Sequence, residues 1–287
     1  MVESRGMERP QTSRARRGGI LSWFGCCFGD DSQYHENDLQ PLNLYNPSAI
    51  QVSVDHLVAR SRDARAATFS KIGKLHDFTL DDDVSSLPAH VANWPSARQR
   101  FRVIVRPRGK TLLLVSDGLS DPFDDLQEDA NVNGYGLEFY IETPVSEIGL
   151  DIAEIKSSWQ FQLLSTVCTM AAGHGGIRQI IDHMELLSTE AEGVSESIPA
   201  EYRQNIINSQ SRVGALLGLS DERQENKVPK MIEDMPLTDV RLVNVKLIQL
   251  KELKLITDLG AEGRSQLARL FPPEEKLLSS LQRPSVV

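Results

Sequence analysis

Residues 111–143 read TLLLVSDGLSDPFDDLQEDANVNGYGLEFYIET, and this stretch decides the fold. Leu112 to Val115 is a short apolar run suited to a buried strand, while Tyr135, Leu137, Phe139 and Ile141 alternate with Gly136, Glu138, Tyr140 and Glu142. Two strands are expected. Between them stand Asp117, Asp121, Asp124, Asp125, Glu128 and Asp129, with Gly118 and Pro122 as turn formers, which reads as an acidic surface loop too long for a tight hairpin. Just upstream, Phe101, Val103 and Val105 alternate with Arg100, Arg102, Ile104 and Arg106, and Pro107-Arg108-Gly109-Lys110 turns the chain into the 111–115 strand. This is the strongest hairpin signal in the sequence.

Working outward, residues 52–67 read as a helix with Val54, Leu57 and Val58 on one side. Pro144 ends the 135–142 strand, because proline has no N–H to donate to a ladder. Ser157 or Ser158 can cap a following helix whose face carries Trp159, Leu163, Val167, Met170 and Ala171, with Gly173 closing it. Residues 177–187 fit either a helix or extended chain. Residues 212–219, 228–235 and 240–250 read as strands, 188–210 and 220–227 as loops or short helices, and 251–259 as helical. Pro272-Pro273 ends the domain before a short charged tail, 273–287.

Ser116-Asp117-Gly118-Leu119-Ser120-Asp121-Pro122 followed by Asn133-Gly134-Tyr135-Gly136-Leu137-Glu138-Phe139 resembles the suppressor of fused family. The downstream order of elements is similar to that family as well: a helix with a Trp and a double leucine, matched by Trp159, Leu163 and Leu164, and later a strand, 240–250, leading into a helical stretch. The resemblance covers roughly residues 65–272. It implies a protein-binding module without catalytic activity. Eukaryotic members hold Gli-type transcription factors as negative regulators, and some bacterial members are thought to neutralise toxins as immunity proteins. This sequence matches the one family domain, with no room for the further C-terminal domain of the eukaryotic regulator, so the bacterial type is preferred over a Hedgehog-type role.

The chain has 287 residues, 40% hydrophobic and 25% charged, with a net charge of −9. Such a balance speaks against general nucleic-acid affinity, which needs clustered Lys and Arg. Residues 1–29 hold five arginines against Glu3 and Glu8, a local +3, so the remainder carries −12. Residues 1–50 read as a flexible tail rich in Arg, Ser, Gly, Asn and Pro. Its apolar island around Cys26 and Cys27 supports two readings: S-acylation sites beside lipid-attracted arginines, or a plain tail with a sticky patch, which is preferred. Membrane contact is expected only through this tail. Three cysteines form no disulfide framework, and no window approaches the ~20 apolar residues of a membrane span. A reducing, cytoplasmic setting is expected.

The chemistry is sparse. The acidic loop lacks the D-x-[DN]-x-[DN]-G spacing of a calcium site, so a solvated loop is preferred to a metal. Gly173-His174-Gly175-Gly176 lacks the Lys-Ser/Thr of a phosphate loop, and the six histidines show no pair at ligand spacing on one helix face. Cys168 is better placed as a small core residue than as a nucleophile with His174 or His183. Tyr135 and Trp159 fit either groove anchors or core, with core preferred.

The expectation is therefore a single domain, 51–272, of α/β (α+β) class, with a mixed, mainly antiparallel sheet and packed helices. Its function is expected to be binding a protein partner, a toxin or a regulatory peptide, with no catalytic residues, metal or cofactor. Asp117, Asp121, Asp124, Asp125, Tyr135 and Glu138 are the candidate partner-binding residues, facing a basic partner. The rival is a metal-dependent hydrolase built on the same acidic loop.

Overall fold

The computed structural model describes residues 54–82, 94–95, 99–123, 132–221 and 228–287. The N-terminal tail with Cys26 and Cys27, and Asp124 and Asp125 of the acidic loop, lie outside the described residues.

The expected hairpin is present. β2 (Gln99–Val105) and β3 (Thr111–Ser116) pair antiparallel, with Val105 opposite Leu112 and Phe101 opposite Ser116. Gly109 donates its N–H to Arg106 O at 2.9 Å and has φ +65°, with nothing within 4 Å of where a Cβ would stand. A side chain there meets backbone strain and no steric clash. Gly109→Val should therefore lower stability by about 1 kcal/mol or more, read from urea midpoints. An unchanged midpoint would remove the turn's claim on glycine.

β4 (Leu137–Pro144) continues antiparallel to β3, and β1 (Lys74–Asp82) adds to β2. The sheet then crosses to β8 (Val240–Leu247), which runs parallel to β4, and on to β6 (Val213–Leu217) and β5 (Leu187–Ala191), both joined antiparallel. The order is β1-β2-β3-β4-β8-β6-β5, with the two-residue β7 (Met231–Ile232) beside the start of β8. The result is a mixed, mainly antiparallel sheet in one compact domain.

Helices cover both faces of the sheet, and this determines which residues are buried. On one face, α3 (Trp159–His174) lays Trp159, Leu163, Leu164, Val167 and Cys168 over Val103, Leu114, Phe139 and Ile141. On the other, α1 (Val54–Ile72) sets Phe69 and Ile72 against Ile104, Val115, Tyr140 and Leu242. α6 (Leu250–Leu270) covers the β6–β8 end through Leu253, Ile256 and Leu267. Three shorter helices, α2 (Ile152–Ser157), α4 (Ile177–Met184) and α5 (Ala200–Ile206), complete the described set. Among the described residues no helix is long and apolar enough to cross a membrane.

Several boundaries differ from expectation for local reasons. Ser158 caps α3 by accepting from Phe161 N, but the helix closes two residues later than Gly173, at Gly175 with φ +75°. Residues 177–187 resolve into both alternatives, helix α4 and then the start of β5. α6 runs past residue 259 across a kink at Gly260, whose φ of +56° is not helical. The C-terminal segment is no free tail: Leu277, Ser279, Leu281 and Arg283 are buried.

Candidate functional site

The turn after β3 carries the residues singled out in the sequence, and α1 explains their placement. Leu57, Ser61, Ala64, Arg65, Thr68 and Ile72 form one buried helical stripe, so Arg65 points into the protein and is 0% exposed. Its Nε donates to Asp117 Oδ1 at 2.6 Å, Nη1 to Ser120 Oγ at 3.0 Å and Nη2 to Asp121 Oδ1 at 2.5 Å. Glu138 Oε1 lies 3.8 Å from Arg65 Nε and accepts from Gly118 N and Ser120 N, both at 3.0 Å, while Ser116 Oγ donates to Oε2 at 2.5 Å. Arg100 reaches Asp121 Oδ2 at 3.1 Å and Arg102 lies 3.9 Å from Asp117 Oδ2. Three arginines thus face three carboxylates. Burial pushes the Glu138 carboxyl up, opposed first by Arg65 and then by the serine hydroxyls.

This corrects the expectation of an acidic surface at these positions. Asp117, Asp121 and Glu138 are buried, because α1 covers the side of the sheet that alternation alone would leave wet, and their oxygens are directed at arginines and backbone N–H groups. A metal at Asp117 and Asp121 would have to displace Arg65. Tyr135 is half-buried, its ring edge-on to Phe123 with centroids 5.3 Å apart. The Asn133-Gly134 pair serves the same turn. Asn133 Nδ2 donates to Ser61 Oγ at 2.9 Å and to Ser120 O at 3.1 Å, while Oδ1 accepts from Leu237 N and Thr238 N. A Cβ on Gly134 would stand 2.3 Å from Leu119 O, so no other residue fits there. Cys168 is fully buried, and burial pushes its thiol well up, with Glu138 adding to the effect, so the reactive thiolate is disfavoured.

A second feature lies where the sheet opens. β4 and β8 are paired only from Leu137–Arg241 to Tyr140–Asn244. Beyond that point the C-terminal segment enters the gap, Glu142 and Leu278 forming a parallel bridge. Ser279 N donates to Glu142 O at 2.7 Å, and on the opposite side the Ser279 hydroxyl accepts from Leu247 N at 3.0 Å and donates to Val245 O at 3.3 Å. One residue therefore satisfies backbone groups of both strands. No scan against protein-family models and no search of curated proteins finds a match to this chain.

Side chains around the slot hold the segment by its carbonyls. Asn244 Nδ2 donates to Leu277 O at 3.2 Å, and Lys246 Nζ donates to Glu275 O at 2.5 Å and to Leu278 O. Burial, with the Arg283 charge adding to it, pushes the Lys246 ammonium down to about 7 against the pull of Glu252, Glu275 and Glu142. At the far end Arg283 makes a bidentate pair with Glu252 at 2.6 and 2.5 Å, and Leu281 N donates to Glu147 Oε2 at 3.1 Å. Sequence reasoning sets Arg65, with Arg60 and Arg62, away from the apolar side of α1, which the burial of Arg65 beside Leu57, Ser61 and Ala64 corrects, and it passes over Lys246, Ser279 and Arg283. For Arg65 a signal exists, its place on the apolar stripe of α1, whereas the slot residues come together only through tertiary packing.

Proposed function

We propose that this chain is a non-catalytic protein-binding module of suppressor of fused type, which holds a partner through an extended segment of that partner. The observation that carries this reading is the slot between β4 and β8. It takes a third, extended segment into the sheet, with backbone bonding on the β4 side and side-chain hooks on the β8 side. Strand addition of this kind draws affinity from main-chain hydrogen bonds and selectivity from alternate side-chain pockets. The resemblance of the Asp-Gly-Leu-Ser-Asp-Pro and Gly-Tyr-Gly segments supports the same class, and its bacterial-type members favour a toxin as the partner. With −12 on residues 30–287, a basic partner would be drawn in faster at low salt.

Selection of short displayed peptides against the folded chain tests this. Binders should change hydrogen exchange at Glu142 and Leu247, whose backbone groups face the slot. Binders that protect other surfaces would relocate the site, and a selection yielding none at millimolar concentration would remove the peptide-holding reading.

A further inference from the structure

We infer that residues 277–281, Leu-Leu-Ser-Ser-Leu, are a tethered occupant of the β4–β8 slot, and that an extended partner segment of the form Leu-x-Ser-x-Leu takes their place. This rests on the proposal that the chain holds extended segments, and it names the ligand and its built-in competitor. Leu277, Ser279 and Leu281 are buried at 3%, 0% and 7%, Leu278 is half-buried, and Ser280 is buried with its hydroxyl donating to Glu147. Leu277 packs with Ile248, Ile256 and Phe271, and Leu281 joins the main core beside α3. The slot thus has two apolar seats flanking two hydroxyl seats, of which that of Ser279 lies between the strands.

The Ser279 seat is the selective one. It presents an N–H donor, Leu247, and a carbonyl acceptor, Val245, to a side chain with no exposed surface. A hydroxyl answers both, whereas an apolar group of similar size would leave both backbone groups unpaired. The seats for the backbone, Lys246 and Asn244, read only carbonyls and accept any sequence. Exchange requires the segment to be loosened: its far end is held by Glu147 and by the Arg283–Glu252 pair, whereas at its near end Pro273 and Glu274 are exposed and neither Pro272 nor Pro273 has an N–H to anchor it. A segment tethered in this way competes at an effective concentration in the millimolar range, so a free ligand binds weakly until the tethered one is loosened.

The test uses the full chain and a fluorescent peptide of residues 274–287, with binding read by anisotropy. Leu281→Ala loosens the chain's own occupant and leaves the slot intact, so it should tighten binding of the peptide by tenfold or more over the native chain. Changing the peptide's Ser279 to Val should weaken binding by at least tenfold. Hydrogen exchange on the native chain provides a measurement free of any folding defect: the Ser279 amide should exchange faster than the Val115 amide in the sheet interior. If Ser279 exchanges only with global unfolding, and neither chain binds the peptide at millimolar concentration, the segment is a fixed part of the core and the inference fails. A displayed peptide that binds while Ser279 protection stays unchanged would sink the exchange and leave the protein-binding reading standing.

Discussion

Replacing Arg65 with Met should lower the unfolding free energy by about 3–5 kcal/mol, the range for breaking a buried ion pair by deleting one partner. The guanidinium is 0% exposed and donates to Asp117, Ser120 and Asp121, with Glu138 beside it. Met fills much of the volume but leaves the carboxylates facing one another across an apolar side chain. Arg100 and Arg102, at 14% and 24% exposure, stand at the rim and offset only part of the repulsion. For a domain of this size the melting temperature should fall by roughly 10 °C. Adding Glu138→Gln to Arg65→Met should recover part of the loss, because it removes one of the stranded charges, so the two changes will not be additive. A loss under about 1 kcal/mol for the single variant would mean that the remaining arginines or water take over the site.

The second large effect is a pH dependence centred on Lys246. Burial sets its folded-state value at about 7, against an ordinary lysine value of 10.5. Below pH 7 both folded and unfolded chains carry the proton and the group contributes no slope. Between about pH 7 and 10 the unfolded chain binds more protons than the folded one, so stability rises with pH. Each pH step of one is worth about 1.4 kcal/mol, which sets a limit near 4 kcal/mol over this interval. The carbonyls of Glu275 and Leu278 and the Phe271 ring, 4.6 Å from the amine, favour the charged form and hold the measured gain below that limit. Urea midpoints at pH 7 and pH 9.5 should differ for the native chain and differ much less for Lys246→Met. Parallel profiles would place the Lys246 amine in contact with bulk water. Above pH 10 the slope should reverse, because burial holds the Tyr140 phenol protonated, with Glu142 adding to the effect, after unfolded tyrosines have ionised.

The hairpin from residue 99 to 116 is legible in the sequence because its information is local: alternating apolar residues and a Pro-Arg-Gly turn suffice to fix register. α1 outruns its expected end at residue 67 because Thr68, Phe69 and Ile72 carry the buried stripe onward. β4 misleads in a specific way. Alternation marks Glu138 and Glu142 as solvent-facing only when one side of a sheet is wet, and here Arg65 and Arg106 come from other elements to meet them. The Asp-Gly-Leu-Ser-Asp-Pro turn stands out as the informative segment, but its aspartates read as surface residues because the opposing arginine lies far away in sequence. The slot is not legible at all. Nothing in a Pro-Pro followed by a short polar stretch indicates that a serine will bridge two strands formed much earlier in the chain.

That late bridge also orders events during synthesis. β4 and β8 can pair at Leu137–Tyr140 as soon as β8 has left the ribosome, but the backbone groups of Glu142, Val245 and Leu247 that Ser279 satisfies stay unpaired until residue 279, more than thirty positions later, has emerged. In that interval the nascent sheet has an open notch at its centre, with main-chain donors and acceptors ready for any extended chain nearby. Contacts so distant in sequence are also the slowest to close, so this notch should be the last part of the sheet to mature and the first place a refolding chain binds the wrong strand.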